Sequence, residues 1–142
     1  MSTIQQVIRE NAREIITVKP DDTVIAALET MARNEIGAVL VMEGDHLVGI
    51  FSERDYARKI ILHGKSSKET SVREIMTDKV VCGRPNQSID EGMALMTQKR
   101  CRHLPIVAND KVVAMVSLGD LVKAKISEQK FMIEQLESYI LS

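Results

Sequence analysis

The chain has 142 residues, 44% of them apolar and 27% charged, with a formal net charge of −1 at pH 7. That length suits one compact domain or two small ones sharing a core, and the balanced charge leaves no electrostatic footprint for nucleic acid. Phe51, Tyr56, Phe131 and Tyr139 are the whole aromatic complement, too few for a base-stacking platform.

No apolar run approaches the roughly 20 residues of a membrane span. Met1-Ser2-Thr3-Ile4-Gln5 lacks the basic-then-apolar order of a secretory signal. Cys82 and Cys101 lack CxxC spacing, and His46, His63 and His103 are scattered; no metal requirement is expected. A reduced, cytoplasmic protein is the simplest expectation.

In chain order, Ile15-Ile16-Thr17-Val18 reads as a short strand halted by Lys19-Pro20. A helix follows from about Thr23 to Asn34, with Val24, Leu28 and Met31 on one face. Ala38–Met42 is a buried-type strand, Glu43-Gly44-Asp45-His46 a hairpin turn, and Leu47–Phe51 the returning strand. Ser52 opens a helix that stops near His63-Gly64. The polar run from Lys65 to Ser71 is the natural linker.

The same order then returns. Val80-Val81-Cys82 is the strand, Pro85 the turn, and Ser88-Ile89-Asp90-Glu91 a capping box opening a helix through Arg100. Leu104–Val107, a turn at Ala108–Lys111, Val112–Val116 and a final helix from Ser117 complete the copy. Residues 17–56 and 82–121 superimpose at a constant offset of 65 without a gap. The turn Val72-Arg73-Glu74-Ile75-Met76 also resembles Ile4-Gln5-Gln6-Val7-Ile8.

The predicted fold is therefore α+β, two β-α-β-β-α repeats packed about a pseudo-twofold axis with ligand clefts where they meet. Its divisions are 4–63, a linker at 64–71, 72–126, and a helical extension at 127–142. Each half is about 60 residues and marginal alone, so mutual stabilisation is expected. In the extension, Phe131, Ile133, Leu136 and Ile140 continue an apolar face. It either packs on its own core, the plainer reading, or contacts another subunit.

The repeated chemical signature is an apolar strand followed by Ser-x-x-Asp: Ser52 with Asp55, and Ser117 with Asp120. A Ser followed three residues later by an acid is first of all a helix-start device. Glu performs that task better than the shorter Asp, and an Asp in a first turn also suits ribose hydroxyls. Both readings stand at this point. His103 has no neighbouring nucleophile or carboxylate in sequence, so a triad is not indicated. Cys82 reads as core or cleft wall, and the methionines as core filling.

Gly49-Ile-Phe-Ser-Glu-Arg-Asp-Tyr56, Arg102-His-Leu-Pro-Ile-Val107 and Val116-Ser-Leu-Gly-Asp-Leu121 resemble a tandem cystathionine-β-synthase (CBS) domain pair, or Bateman module, over residues 4 to 126. The resemblance implies clefts for an adenosine-containing ligand, AMP first, with ADP, ATP or NAD as alternatives. It implies Ser52 with Asp55 in one cleft and Ser117 with Asp120 in the other. Thr17 and Val18, with Val81 and Cys82, would offer main chain to adenine. Arg102, His103, Arg54 and Arg58 would face phosphates, and Pro105 belongs to the same motif. Gly37-Ala38 stands where the second copy has Arg102-His103, so the clefts should differ. Ala114 stands where the family often has Gly, as at Gly49.

The function expected from these residues is a non-enzymatic regulatory sensor of adenine nucleotides. It would form a homodimer, signal to an effector protein in trans, and contact neither nucleic acid nor membrane. The linker at 64–71 and the last helix are the expected moving parts. The alternative is a ligand-free interaction scaffold.

Overall fold

The computed structural model describes residues 2–11 and 13–141. Its elements are α1 (Ile4–Glu10), β1 (Thr17–Val18), α2 (Val24–Asn34), β2 (Ala38–Glu43), β3 (His46–Ser52) and α3 (Glu53–Asp55), then α4 (Val72–Ile75), α5 (Ile89–Lys99), β4 (His103–Ala108), β5 (Lys111–Ser117) and α6 (Leu118–Leu141). A π-helical stretch, Tyr56–Ile61, continues α3. One sheet is ordered β1-β2-β3 and the other is the pair β4-β5, the α+β class that the sequence predicts.

Two compact units form, one from Ile15–Val80 and the other from Met1–Glu14 with Val81–Ser142. They do not follow the repeat boundaries, because the short helix preceding each repeat closes the unit of the other. In the first unit α4 seats on the start of α2: Val72 N–H donates to Asp22 C=O (2.9 Å), Arg73 N–H to Pro20 C=O (2.8 Å), and Val24 N–H to Thr70 C=O (2.9 Å). In the second unit α1 makes the same three bonds one repeat later. Ile4 N–H donates to Gln87 C=O (2.9 Å), Gln5 N–H to Pro85 C=O (2.9 Å), and Ile89 N–H to Ser2 C=O (3.1 Å). Val72 and Ile75 thus enter a core with Val24, Met31, Val41, Phe51 and Ile60. Ile4 and Val7 enter the core of Ile89, Met96, Leu104, Ile106, Val116 and Leu121. Burying those side chains is what holds helices of four and seven residues, too short to persist alone.

The repeat is faithful in backbone detail. Glu35 and Arg100 end α2 and α5 in the left-handed region, at φ 53° and 54°. Both hairpins turn on two residues, Gly44-Asp45 and Asn109-Asp110, and both are irregular at the same place, Val41/Met42 and Ile106/Val107. Asn109 and Asp110 both have positive φ, the geometry that matches strand twist in a two-residue hairpin.

Four sequence expectations change. Val80-Val81-Cys82 is not a strand; pairing is reduced to one parallel bridge, Gly83 to Ile106. Gly83 N–H donates to Pro105 C=O (2.8 Å) and Val107 N–H to Gly83 C=O (2.9 Å). Extending that ladder would need an amide hydrogen at residue 105 for the carbonyl of Val81, and proline has none. In the first copy Leu40 holds the equivalent place, and β1 pairs there in full register. The polar linker is not a loose tether, since Ser67 and Thr70 carbonyls accept from Ile25 and Val24 N–H (both 2.9 Å). The helix after Ser52 widens, with Leu62 N–H reaching Ala57 C=O and Lys65 N–H reaching Ile60 C=O. Finally, the end of α6 does not pack on its own core: every residue from Gln129 to Leu141 is exposed. Ser142 of the predicted extension lies outside the described residues.

Candidate functional site

Each Ser-x-x-Asp sits where a strand hands over to a helix. β3 ends at Ser52 and β5 at Ser117, and the next residue begins a helix whose first amides lack intrahelical partners. In the first unit Ser52 N–H donates to Asp55 Oδ2 (3.0 Å), and Asp55 N–H donates to Ser52 Oγ (3.2 Å). In the second, Ser117 N–H donates to Asp120 Oδ2 (2.8 Å), and Asp120 N–H to Ser117 Oγ (3.0 Å). Both are complete reciprocal capping boxes, so the shorter Asp reaches as well as Glu would. The residue before the neighbouring strand, β2 or β4, is tied to each box as well, by Glu53 N–H to Gly37 C=O (3.0 Å) and Leu118 N–H to Arg102 C=O (2.8 Å).

The two carboxylates differ in what remains of them. Asp55 Oδ1 accepts from Thr77 Oγ1 (3.2 Å) and lies 3.4 Å from Lys59 Nζ, while Lys59 also donates to Ile75 C=O (3.0 Å). Its two oxygens are thus engaged from three directions. Asp120 Oδ2 takes both Ser117 N–H and the Arg13 guanidinium, and its Oδ1 accepts no hydrogen bond among the described residues. The Asp120 side chain is 16% exposed and that of Arg13 55%. Burial pushes the Asp120 carboxyl up, but the Ser117 amide and hydroxyl and the Arg13 charge outweigh it and hold it below the ordinary aspartate value.

The remaining predicted residues divide between the units. Thr17 is exposed at the edge of β1, and Val18 is buried beneath it. Ala38 is fully buried opposite Ser52, and Arg54 and Arg58 are exposed beyond Asp55. In the other unit His103 lies opposite Ser117 across β4-β5, half-buried. Arg102 is exposed, Pro105 buried, and Val81 half-buried against the core. Cys82 is exposed and not core; partial burial nevertheless pushes its thiol up, which keeps it a protonated, sluggish nucleophile. Arg102, His103, Ser117 and Asp120 are therefore brought onto one strand–helix junction, and Gly37, Ala38, Ser52 and Asp55 onto its counterpart.

Sequence reasoning missed three contributors. Lys59 stands four residues after Asp55, a spacing that pairs charges on a helix. Thr77 and Arg13 reach their carboxylates from 22 and 107 residues away, and both follow the helix that closes the unit. Among the described residues no cluster of metal-ligating side chains occurs, and no helix is long and apolar enough to cross a membrane.

A pair of small α+β repeats, each ending in a Ser-capped helix, is the CBS-domain architecture. The sequence profile of the CBS domain matches residues 6–62 and 72–127, and the chain belongs to that family as a CBS-domain pair. It is 41% identical over 125 residues to the mitochondrial CBS domain-containing protein CBSX3 of Arabidopsis thaliana, covering 84% of this chain and 61% of that protein. With YhcV of Bacillus subtilis it shares 34% identity over 116 residues, covering 82% of each. A solved Burkholderia ambifaria structure, described as a signal-transduction protein with CBS domains, is 48% identical with a TM-score of 0.86, over 90% of this chain and 96% of that one.

Proposed function

We propose that the chain is a regulatory module that binds an adenosine-containing nucleotide, AMP first, and signals to a partner protein in trans from a homodimer. The observation that carries this reading is the unused Oδ1 of Asp120. A largely buried carboxylate, held ionised by Ser117 and Arg13, keeps one oxygen available to accept from a ribose hydroxyl, as acidic residues do in dinucleotide folds. Ser117, Arg102 and His103 share its strand–helix junction and supply the hydroxyl, guanidinium and ring N–H donors that a phosphate needs.

The two Ser-x-x-Asp positions are unequal in this reading. Asp55 already satisfies Thr77 and Lys59, and a ligand there would have to displace them; Gly37 and Ala38 stand where the second copy has Arg102 and His103. Asp120 is the working position, and Asp55 the structural one. Ligand changes the module's state only through different affinity for its conformations, so no reaction is required. The signal-transduction description of the Burkholderia structure supports the same reading.

The test is a thermal-shift panel on ligand-free chain with AMP, ADP, ATP, NAD⁺, NADH and S-adenosylmethionine. A ligand at about 100 times its Kd stabilises by about 2.7 kcal/mol, several degrees for a chain of this size. A shift with at least one of them is expected. A flat panel would replace the sensor with a ligand-free interaction scaffold.

A further inference from the structure

The last helix carries a surface that the nucleotide reading does not use. α6 runs 24 residues, Leu118–Leu141, a rod about 36 Å long. Its first half packs Leu121 and Ala124 against the core of its unit, while Lys125 is tied down by Asp90 at 3.0 Å. About a quarter-turn round from that packed side, Val122, Ile126, Ile133, Leu136 and Ile140 form a straight stripe that is 41%, 48%, 54%, 60% and 76% exposed. An uncovered apolar stripe of this length marks an interaction surface. A helix tail exposed along its length is also marginal in water on its own.

The spacing says what covers it. With Gln129, the stripe advances by alternating steps of four and three residues, the 3.5-residue repeat of a two-stranded coiled coil. Isoleucine occupies every a position (126, 133, 140), and Val122, Gln129 and Leu136 occupy d. In a parallel coiled coil, β-branched residues at a, with Leu at d as at 136, favour two strands. Gln129 selects the occupant: a buried amide needs a polar partner, and an identical helix in register supplies Gln129 itself. The one unfavourable pairing in that register, Lys125 of one copy against Lys130 of the other, is relieved because Lys125 is held by Asp90.

We infer that α6 is an interface for a second copy of this chain, the two helices pairing parallel and in register from Val122 to Ile140. Disulfide trapping on the full chain tests it. Ile133→Cys places two sulfurs face to face across the seam, whereas Phe131→Cys, equally exposed, points away from it. The parent chain, with Cys82 and Cys101, sets the background.

Under mild oxidation Ile133→Cys should form covalent dimer at least about tenfold faster than Phe131→Cys, because pairing raises the local thiol concentration. Equal rates, or no dimer from Ile133→Cys, would overturn the pairing. Crosslinking found only on mixing Ile133→Cys with Gln129→Cys would mean antiparallel helices and overturn the register. As an independent readout, Ile133→Glu should lower helix content by circular dichroism, and unchanged content across a dilution series would count against the interface.

Discussion

Asp55 and Asp120 occupy equivalent positions, yet they should respond differently to loss of the side chain. Alanine at either position leaves the serine N-cap in place but removes the carboxylate that accepts its amide, half of a capping box and a loss of about 1 kcal/mol. Beyond the serine contacts common to both boxes, the further loss at Asp120 among the described residues is the Arg13 pair, whose guanidinium is more than half exposed, and such pairs contribute about 0–1 kcal/mol. At Asp55 the Thr77 hydroxyl and the Lys59 ammonium lose their acceptor, and hydrogen bonds to a charged group contribute about 1.5–3 kcal/mol, less where water reaches them. The expected losses are about 2–3 kcal/mol for Asp55→Ala and about 1–2 kcal/mol for Asp120→Ala. Urea unfolding at pH 7 reads the difference as a shift in midpoint at constant slope. Asp120→Ala proving as damaging as Asp55→Ala would refute the assignment of Asp55 to structure.

Three further outcomes follow from the same contacts. Asp120 is held low by Ser117 and Arg13, so its contribution is present above the unfolded aspartate value near 3.9 and is lost as pH falls through the folded value. Arg13→Ala should therefore cost up to about 1 kcal/mol at pH 7 and nothing at a pH low enough to protonate Asp120 in the folded chain, measured by urea midpoints across that range. Glu74, held low by the Ser71 amide and hydroxyl, loses its contribution at acid pH too, and Asp120→Asn in parallel separates the two. Gly49→Ala would bring a methyl within 2.5 Å of Met76 Sδ and 3.1 Å of Thr77 C=O; a loss of about 1–3 kcal/mol is expected from such overpacking, read by the same unfolding assay.

Much of the fold is written locally in the chain. The hairpin turns at Gly44-Asp45 and Asn109-Asp110, the caps Thr23 and Ser88, and both Ser-x-x-Asp boxes depend on neighbours within a few residues, and the 65-residue offset carries each across to the other copy. What α1 and α4 pack against is not local. Their capping boxes announce a helix but not which unit it closes. The missing strand at Val80–Cys82 turns on Pro105, whose lost amide matters only once its parallel neighbour is known. The candidate site divides the same way. Spacing locates both carboxylates and holds the signal for Lys59, four residues after Asp55, that the sequence reading passed over, whereas the difference between Asp55 and Asp120 depends on Thr77 and Arg13, which tertiary packing delivers.

Isothermal titration of AMP into the ligand-free chain tests the central claim most directly, with Asp120→Asn and Asp55→Asn alongside. Asparagine keeps a capping oxygen at either position and replaces the other oxygen with an NH2 group, removing the charge and one acceptor. Saturable binding in the parent, retained in Asp55→Asn and lost or weakened at least about tenfold in Asp120→Asn, the loss of one charge-assisted hydrogen bond, is the predicted result. Binding that survives Asp120→Asn and disappears in Asp55→Asn would contradict it and move the site to the other unit.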